Sequence, residues 1–550
     1  MIIQKNRKLI ILVSGLLIFL FSFTIYRNSL HNGFLAGDDE DIVLRNAYLR
    51  NGNDFYKFFT QNFKAGSGVT SNYYRPFQLL TYGLIVKTIG IKPEPFHFSS
   101  ILLHSLCGLL IYLIFLRLLY PAVSLPIIFL TALVWAGLPI HNEEIAGVTG
   151  LGSPSYLFWM LAGILAFLYF ESGNKTRWYF VSVASFVLSL FSKESAIVFP
   201  GLLLGMHIAC AQAGALKRIK LKQLLILHAP FWIIALIYIS LRLTLLNFEN
   251  TLNFYNSANI FTQNFSFRAY TFLTILGRGL AVIFLPIGLH PEKSWPVFTG
   301  FFNPQVFLSF LALTLLLALA VTLRKKNPLF AFGIFWFFFS YLPMSNLVVM
   351  INALALDHWF YVPSVGILLA LASLLRKKAA QKVACLFLAA GVIIFSIITI
   401  SRNQYWRDTE TLSRFILRYE PDSAKTWNNL AIALAQDRRY PEAIEGYSKA
   451  MALEDTYPQS HHNLANAYVN LGQYSLAEEE YLKAIALDKR FFHAYLALGK
   501  LYLAEGEKEK AQDYLRKALE IYPGLTEAKR LLDKLQLNRI GKRSLSGLSD

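Results

Sequence analysis

Long apolar runs, separated by short polar loops, constrain this chain more than any other feature of its sequence. Segments that can cross a hydrocarbon core of about 30 Å recur through its first 400 residues. About eleven such segments are predicted, at 9–26, 97–116, 123–138, 155–170, 178–191, 195–213, 224–245, 305–323, 329–347, 358–375 and 382–400. A segment inside a membrane must satisfy its backbone hydrogen bonds internally, so each is predicted to be an α-helix. The sequence thus predicts an all-α, multi-pass integral membrane protein whose polytopic helical bundle contacts membrane lipids.

Clusters of basic residues beside these runs indicate the orientation. The chain has 52 Lys and Arg against 34 Asp and Glu, a net charge of +18. Much of the excess sits at 5–8, 217–222, 324–326 and 376–378, as in cytoplasmic loops of membrane proteins, so no nucleic-acid partner is needed to explain it. All four clusters are cytoplasmic if residues 268–289 do not span, and the interior Arg278 and Pro286 favour an interfacial helix there. The N-terminus is then cytoplasmic and the C-terminal part lies outside.

A repeat of fixed length marks the last part of the chain. Units at 424–457, 458–491 and 492–525 begin at Ala424, Pro458 and Phe492, so their starts are 34 residues apart (458 − 424 and 492 − 458). Small residues recur at the eighth, twentieth and twenty-seventh places, where they let paired helices approach closely. This pattern predicts a tetratricopeptide-repeat (TPR) α-solenoid with flanking helices over 403–540, after a membrane domain over 1–402 and before a disordered tail over 541–550. Its concave face is expected to bind a protein or peptide, and a rigid spacer is the alternative.

Four consecutive acidic residues, 38–41, follow the first predicted span. Neighbouring carboxylates repel one another, so some of them are expected to have a raised pKa or to bind a cation. Asp38 or Asp39 could act as a general base on a hydroxyl acceptor. The alternative is a solvated acidic turn that keeps this loop out of the lipid.

Further polar side chains stand near the predicted outer ends of the spans. They are Arg75, Lys193, Arg242, His97, His104, His141, Glu143, Glu144, Glu194, Asp357 and His358. A histidine inside a span, such as His97 or His104, is either functional or bonded to a neighbouring helix. The segment 141–144 suits metal binding or ligand orientation, and each of the others taken alone fits an interfacial anchor. Together they predict an outer cavity that places cations on a phosphate and a carboxylate beside an acceptor, as a lipid-linked phosphosugar requires.

The order of short motifs resembles a known family. These motifs are Asp38–Asp39, Tyr74–Arg75–Pro76, Leu80–Thr81–Tyr82, His97 with His104, His141–Glu144, Ser192–Glu194, Leu342–Asn346, Asp357–Ser364 and Trp406–Asp408, followed by the repeats. The sequence resembles the transmembrane-and-tetratricopeptide-repeat proteins, O-mannosyltransferase-like members of the GT-C superfamily of polytopic glycosyltransferases. The resemblance covers roughly residues 9–540.

This resemblance implies an inverting transfer of a sugar, typically mannose, from a polyprenyl-phosphate donor to a hydroxyl group, for example of protein Ser or Thr, on the outer face. Asp38 is the preferred base over Asp39, since the acting residue usually stands first in the superfamily's acidic pair. Arg75, Lys193 and Arg242 would contact the donor phosphate, and the repeats would contact the acceptor or a partner. No cofactor is certain, and the use of a divalent metal stays open.

Two departures from the family pattern fit a bacterial member. Asp357–His358 stands where eukaryotic relatives often have Glu-Arg, and only three repeats are clear. The expected location is then the cytoplasmic membrane, with the repeats in the periplasm.

Two other functions compete with this interpretation. An O-antigen ligase-like oligosaccharyltransferase would carry its key Arg and His residues in a large late loop, whereas the polar chemistry here starts in the first. A non-catalytic membrane scaffold would use the repeats to recruit partners and could leave Asp38 on open surface, whereas an enzyme needs this residue in an outer cavity.

Overall fold

The computed structural model describes residues 2–51, 54–173, 175–248, 260–347, 349–351 and 353–535, with side chains from Arg7 onward. Contacts divide the chain into two compact units that meet in sequence between Asp408 and Thr409. The sequence predicts this boundary between residues 402 and 403. The predicted tail, 541–550, lies outside the described residues.

The first unit consists of α-helices joined by loops and short 3-10 turns. Its helices are α1 Ile2–Tyr26, α2 Ala47–Arg50, α3 Lys57–Thr60, α4 Pro76–Thr88, α5 Pro93–Leu119, α6 Leu125–Gly137, α7 Asn142–Ala146, α8 Gly152–Gly173, α9 Thr176–Ser192, α10 Phe199–Gln212, α11 Leu221–Leu243, α12 Ile260–Gln263, α13 Phe265–Phe284, α14 Pro304–Leu323, α15 Pro328–Tyr341, α16 Pro363–Leu374 and α17 Lys378–Asn403. Proline opens several of them, because a first-turn residue needs no N–H for the helix. Every predicted span coincides with one of these helices, which confirms the all-α prediction.

Length and composition separate the helices that can cross a membrane from the shorter ones. Within the described ranges eight helices qualify, or nine if α6 and the segment Pro139–Ala146, bent by 42°, form one span. Helices α15 and α16 are apolar but shorter. Helix α13, which the sequence analysis treated as non-spanning, is one of the eight by this criterion. The number of spans therefore stays a prediction.

Close packing at one crossing and side-chain amides at one end hold the bundle together. Where α15 crosses α16, a Cβ on Gly333 would lie 2.5 Å from the carbonyl oxygen of Gly366, so only glycine allows this approach. Near the end of α17, Asn403 Nδ2 donates to the carbonyl oxygen of Ile25 at 2.8 Å, and Asn142 Nδ2 donates to that of Thr399 at 3.2 Å. These bonds join the ends of α1 and α17 to the segment that follows α6.

The second unit is a stack of helix pairs. Its helices are α18 Thr409–Leu417, α19 Ala424–Gln436, α20 Tyr440–Leu453, α21 Pro458–Asn470, α22 Tyr474–Leu487, α23 Phe492–Glu505 and α24 Lys508–Ile521, with a further helical segment over 526–535. Helices α19, α21 and α23 begin at the three predicted repeat starts. The small residues at the predicted places, such as Ala431, Ala443 and Ala450, are buried between the paired helices. The predicted solenoid is confirmed.

Candidate active site

The segment between α6 and α8 carries Glu143 and Glu144, two acidic residues of the candidate site. It comprises a 3-10 turn at Pro139–His141, the short helix α7, and a second turn at Thr149–Leu151. Glycine is required at 150, because a Cβ there would overlap the carbonyl group of Glu144. On α4, Gln78 Nε2 donates to the Thr149 carbonyl at 3.0 Å and the Tyr82 hydroxyl donates to the Val148 carbonyl at 2.6 Å. These bonds fix the short helix that carries Glu143 and Glu144.

Glu144 is the centre of a buried charge cluster. Its Oε1 accepts a hydrogen bond from Ser153 Oγ at 2.5 Å and lies 3.3 Å from both Lys193 Nζ and His358 Nε2. Lys193 Nζ also donates to Ser153 Oγ at 2.7 Å. A carboxylate buried to this degree is stable as an anion only with such partners.

Asp357 and His358 extend this cluster with two more ion pairs. His358 Nδ1 lies 2.8 Å from Glu143 Oε2, and Lys293 Nζ lies 2.8 Å from Asp357 Oδ2. The imidazole of His358 thus lies between the carboxylates of two glutamates.

Of the three predicted phosphate ligands, two lie in ion pairs and the third binds a loop. Arg75 donates two hydrogen bonds to Glu194, from Nη2 to Oε1 at 2.8 Å and from Nε to Oε2 at 3.2 Å. Burial lowers the pKa of Arg75, but the Glu194 carboxylate more than offsets this and raises it. Lys193 is held by Glu144, as described above, whereas Arg242 Nη2 donates to Asn72 Oδ1 at 2.9 Å.

Asp39 is buried beneath the acidic turn. Its Oδ2 accepts from the Leu35 amide at 2.8 Å, and the Thr149 amide donates to the same carboxyl group. Burial raises its pKa to about 7, with a smaller contribution from the charges of Asp38 and Glu40. Repulsion within the acidic run, the expected cause, is therefore the lesser one.

Asp38 instead faces outward, with its side chain 67% exposed, and its Oδ1 lies 2.6 Å from Lys64 Nζ. This exposure is what the scaffold alternative allows, whereas the enzyme interpretation predicts an outer cavity at this residue. The Lys64 ammonium also lies 3.2 Å from Asp41 Oδ2. The sequence predicts that some of these carboxylates have a raised pKa or bind a cation. Asp38 and Asp41 do bind a cation, and it is the Lys64 ammonium of this chain. Lys64 was not singled out in the sequence, and neither were Ser153 and Lys293, because no periodicity or motif links them to their partners.

Three predicted site histidines, His97 and His104 of a predicted span and His141 of a predicted loop, are buried in the interior of the membrane unit. His104 Nδ1 lies 2.8 Å from the Tyr361 hydroxyl and Nε2 lies 3.0 Å from the Ala136 carbonyl, so it is bonded to neighbouring elements. His141 packs its ring against Trp135 and Tyr361. His97 is buried near the backbone of residues 32–33. These contacts favour a role in packing for all three.

A small cleft opens beside the charge cluster and is bordered by Glu143, His290, Asp357 and Arg402, among others. Within the described part of the chain, no three His, Cys, Asp or Glu side chains are arranged to hold a metal ion. The polar groups here are instead arranged as alternating cations and carboxylates, and such a site can bind phosphate and accept a proton.

Comparison with known proteins gives matches in both halves of the chain. The tetratricopeptide repeat family matches residues 422–492 and, overlapping them, 462–526. Protein O-mannosyl-transferase TMTC3 of Mus musculus is 23% identical over 465 residues, which are 78% of this chain and 50% of that protein. This chain is a homologue of the transmembrane-and-tetratricopeptide-repeat O-mannosyl-transferases. The resemblance predicted from the motifs is confirmed.

Other members of this family match over similar lengths. Protein O-mannosyl-transferase TMTC1 of Homo sapiens is 25% identical, covering 79% of this chain and 54% of that protein. Protein O-mannosyl-transferase F38B6.6 of Caenorhabditis elegans is 23% identical, covering 83% and 64%. The chain spans about half the length of the first of these curated relatives.

Proposed function

We propose that this chain is a membrane glycosyltransferase that moves mannose from a polyprenyl-phosphate donor to a hydroxyl group, such as that of a protein Ser or Thr. Similarity to proteins named as O-mannosyl-transferases over 78% of the chain supports the reaction class. At the site, the proposal rests on the Asp38 carboxylate of the first loop, which is accessible to an acceptor and lies 2.6 Å from Lys64 Nζ. Asp39, its neighbour, is buried and bound to backbone amides, and so cannot reach an acceptor.

In this reaction Asp38 acts as the general base. Its carboxylate takes the proton of the acceptor hydroxyl, and the acceptor oxygen attacks the anomeric carbon of the sugar. The bond between that carbon and the phosphate oxygen breaks, and polyprenyl phosphate leaves with the electron pair from the opposite face, so that the configuration inverts. Lys64 orients the base, and Asp39 anchors the loop to the segment that carries Glu144.

The repeat unit is proposed to contact the acceptor or a partner protein on the same side of the membrane. Stacked helix pairs present an extended concave surface that suits a protein or peptide segment.

The test is sugar transfer in membranes that contain the full chain. Radiolabelled polyprenyl-phosphate mannose serves as donor, with other polyprenyl-phosphate sugars for comparison. General-base assistance typically contributes about 10²–10⁴-fold, so Asp38→Asn is expected to lower turnover by that factor. Asp41→Asn is the matched control, since it touches the same lysine at 3.2 Å and is expected to be mild. Wild-type turnover in both Asp38→Asn and Asp39→Asn would contradict this proposal and favour the scaffold.

A further inference from the structure

Two basic side chains and an indole meet beside the charge cluster, and the proposed base mechanism uses none of them. The guanidinium carbon of Arg278 lies 5.6 Å from the centre of the Trp295 ring, and Lys293 Nζ lies 5.8 Å from the same ring. Arg278 stands near the end of α13, and the other two stand on the segment 285–303. A left-handed residue at Gly288 (φ +63°) turns this segment back, which brings it against the Arg278 guanidinium.

Of the two basic side chains in this group, Lys293 is paired with a carboxylate, whereas Arg278 has no such pair among the described residues. Lys293 is bound by both carboxylate oxygens of Asp357, at 3.0 and 2.8 Å. Arg278 Nε is buried without a hydrogen-bond partner, and no carboxylate among the described residues forms an ion pair with this side chain. The indole Nε1 of Trp295 is buried and likewise has no partner in the described ranges. A partly buried guanidinium and an N–H donor in this state favour an anion with several oxygens.

We propose that Arg278, Lys293 and Trp295 bind the phosphate of the lipid-linked phosphosugar donor, an inference that rests on the proposed function. The position fits, because Lys293 pairs with Asp357, whose neighbour His358 contacts both Glu143 and Glu144. Arg75 and Lys193 are each held by a glutamate and Lys293 by Asp357, so among these cations of the described residues Arg278 is the one without an ion pair. The planar guanidinium of Arg278 can donate hydrogen bonds to two phosphate oxygens, and the Lys293 ammonium adds a positive charge.

The surface next to this group favours a lipid over free phosphate. The side chains of Phe284, Leu285 and Ile287 follow Arg278 in the chain and are 45%, 65% and 75% exposed. Exposed apolar side chains beside a cationic site can accommodate a hydrocarbon tail while the phosphate is bound by the cations. A site for inorganic phosphate would need no such apolar border.

Binding can be measured on the purified full-length protein, independently of sugar transfer. The probe is a polyprenyl monophosphate without sugar, titrated while the midpoint of thermal unfolding is recorded. Arg278→Gln is expected to weaken binding about ten- to a hundredfold, the usual effect of losing a charge-assisted hydrogen bond. Arg278→Lys should recover part of it. Arg268→Gln is the matched control, because this arginine lies on the same helix but donates to the Thr262 carbonyl at 2.6 Å.

The role of Lys293 needs a paired variant, since its removal leaves Asp357 without its cation. The double variant Lys293→Gln/Asp357→Asn removes both charges and is expected to bind the polyprenyl monophosphate more weakly than wild type. Polyprenol and inorganic phosphate test the two halves of the ligand, and weak stabilisation by each alone is expected. Wild-type affinity in Arg278→Gln would overturn the proposal. Equal, Arg278-dependent binding of phosphatidylglycerol would overturn it as well, because the site would then take any anionic lipid.

The two proposals fail differently. Asp38→Asn is expected to bind polyprenyl monophosphate like wild type although its sugar transfer is about 10²–10⁴-fold slower. If no sugar is transferred by the wild type from any donor, the proposed reaction fails while the binding result stands. If transfer depends on Asp38 but Arg278→Gln binds normally, only the phosphate site fails.

Discussion

The carboxyl group of Asp39 lies under the acidic turn and accepts hydrogen bonds from the Leu35 and Thr149 amides. At the scale of single residues, this burial gives Asp39 a different environment from that of its neighbour Asp38, whose carboxylate is exposed. The pKa of Asp39 is raised from its ordinary 3.8 to about 7, so the folded state favours the neutral acid. Its contribution to stability is therefore complete below about pH 3.8 and is lost as the pH rises through about 7.

This shift predicts a pH-dependent stability difference between Asp39→Asn and wild type. Because asparagine cannot ionise, the unfolding midpoint of the variant, relative to wild type, is expected to rise between about pH 4 and pH 7. Thermal unfolding of both purified proteins across this range measures it, and comparison at each pH cancels the titration of groups that both proteins share. A difference that stays constant with pH would contradict the raised pKa.

Arg75 and Glu194 give a second prediction at this scale. Removing one partner of a buried ion pair leaves the other charge uncompensated, at a cost of about 3–5 kcal/mol. Since the Glu194 side chain is 35% exposed, Arg75→Gln is expected to cost less, about 2 kcal/mol in the free energy of unfolding. Arg75→Gln/Glu194→Gln should recover much of that loss in chemical or thermal unfolding. A double variant as unstable as the sum of both single variants would show that the two residues do not act as a pair.

At the scale of helices, the sequence predicts features that are repeated or local along the chain. It does not predict contacts between residues that are distant in sequence and meet only in the folded protein. The starts of α19, α21 and α23 follow from small residues spaced for helix contact, and glycine or alanine at those places is visible in the sequence. The Lys64–Asp38 and Lys293–Asp357 pairs join residues 26 and 64 positions apart in different loops. No local pattern encodes such distances. For this reason the sequence identified Asp38 and Asp357 but neither of their lysines.

Helices α21 and α22 carry a histidine between two carboxylates. His461 Nδ1 lies 2.5 Å from Glu480 Oε2, and Nε2 lies 2.6 Å from Asp455 Oδ1. The hydrogen bond to Glu480, reinforced by Asp455, raises the pKa of His461 although burial opposes it. The stabilisation is thus complete below the ordinary pKa of 6.5 and is lost as the pH rises through the raised value.

The repeat fragment 403–540 is expected to show this loss. Its buried clusters are built from its own residues, so it should fold alone with a helical circular dichroism spectrum. His461→Gln should lower the free energy of unfolding near pH 6 by about 1–3 kcal/mol and make it less sensitive to rising pH. The control is His462→Gln, whose ring packs against Tyr481 and Phe491. Equal alkaline sensitivity of His461→Gln and wild type would contradict the assignment.

At the scale of the membrane unit, the orientation depends on α13. Two positions on this helix contact the same segment, 285–303: Thr271 Oγ1 accepts from the Phe298 amide at 3.1 Å, and Arg278 packs on Trp295. Phe272, beside Thr271, also lies 6.1 Å from Tyr341, the last residue of α15. If α13 crossed the membrane, its first half would lie far from the loops that its second half contacts at the end of the bundle. These contacts favour a helix that runs along the end of the bundle, as the predicted orientation requires.

This arrangement predicts that the repeats lie outside and the basic loops inside. Lys489, exposed between α22 and α23, tests the outer side, and Lys220 and Lys377, at the starts of α11 and α17, test the inner side. Each is changed to cysteine in a chain whose own Cys107, Cys210 and Cys385 are replaced, and intact cells are treated with a membrane-impermeant thiol reagent. Lys489→Cys is expected to react, whereas Lys220→Cys and Lys377→Cys should react only after the cells are broken. Labelling of Lys220→Cys in intact cells with protection of Lys489→Cys would reverse the orientation. It would also place Asp38 in the cytoplasm, because the first helix alone separates that residue from the N-terminal basic cluster.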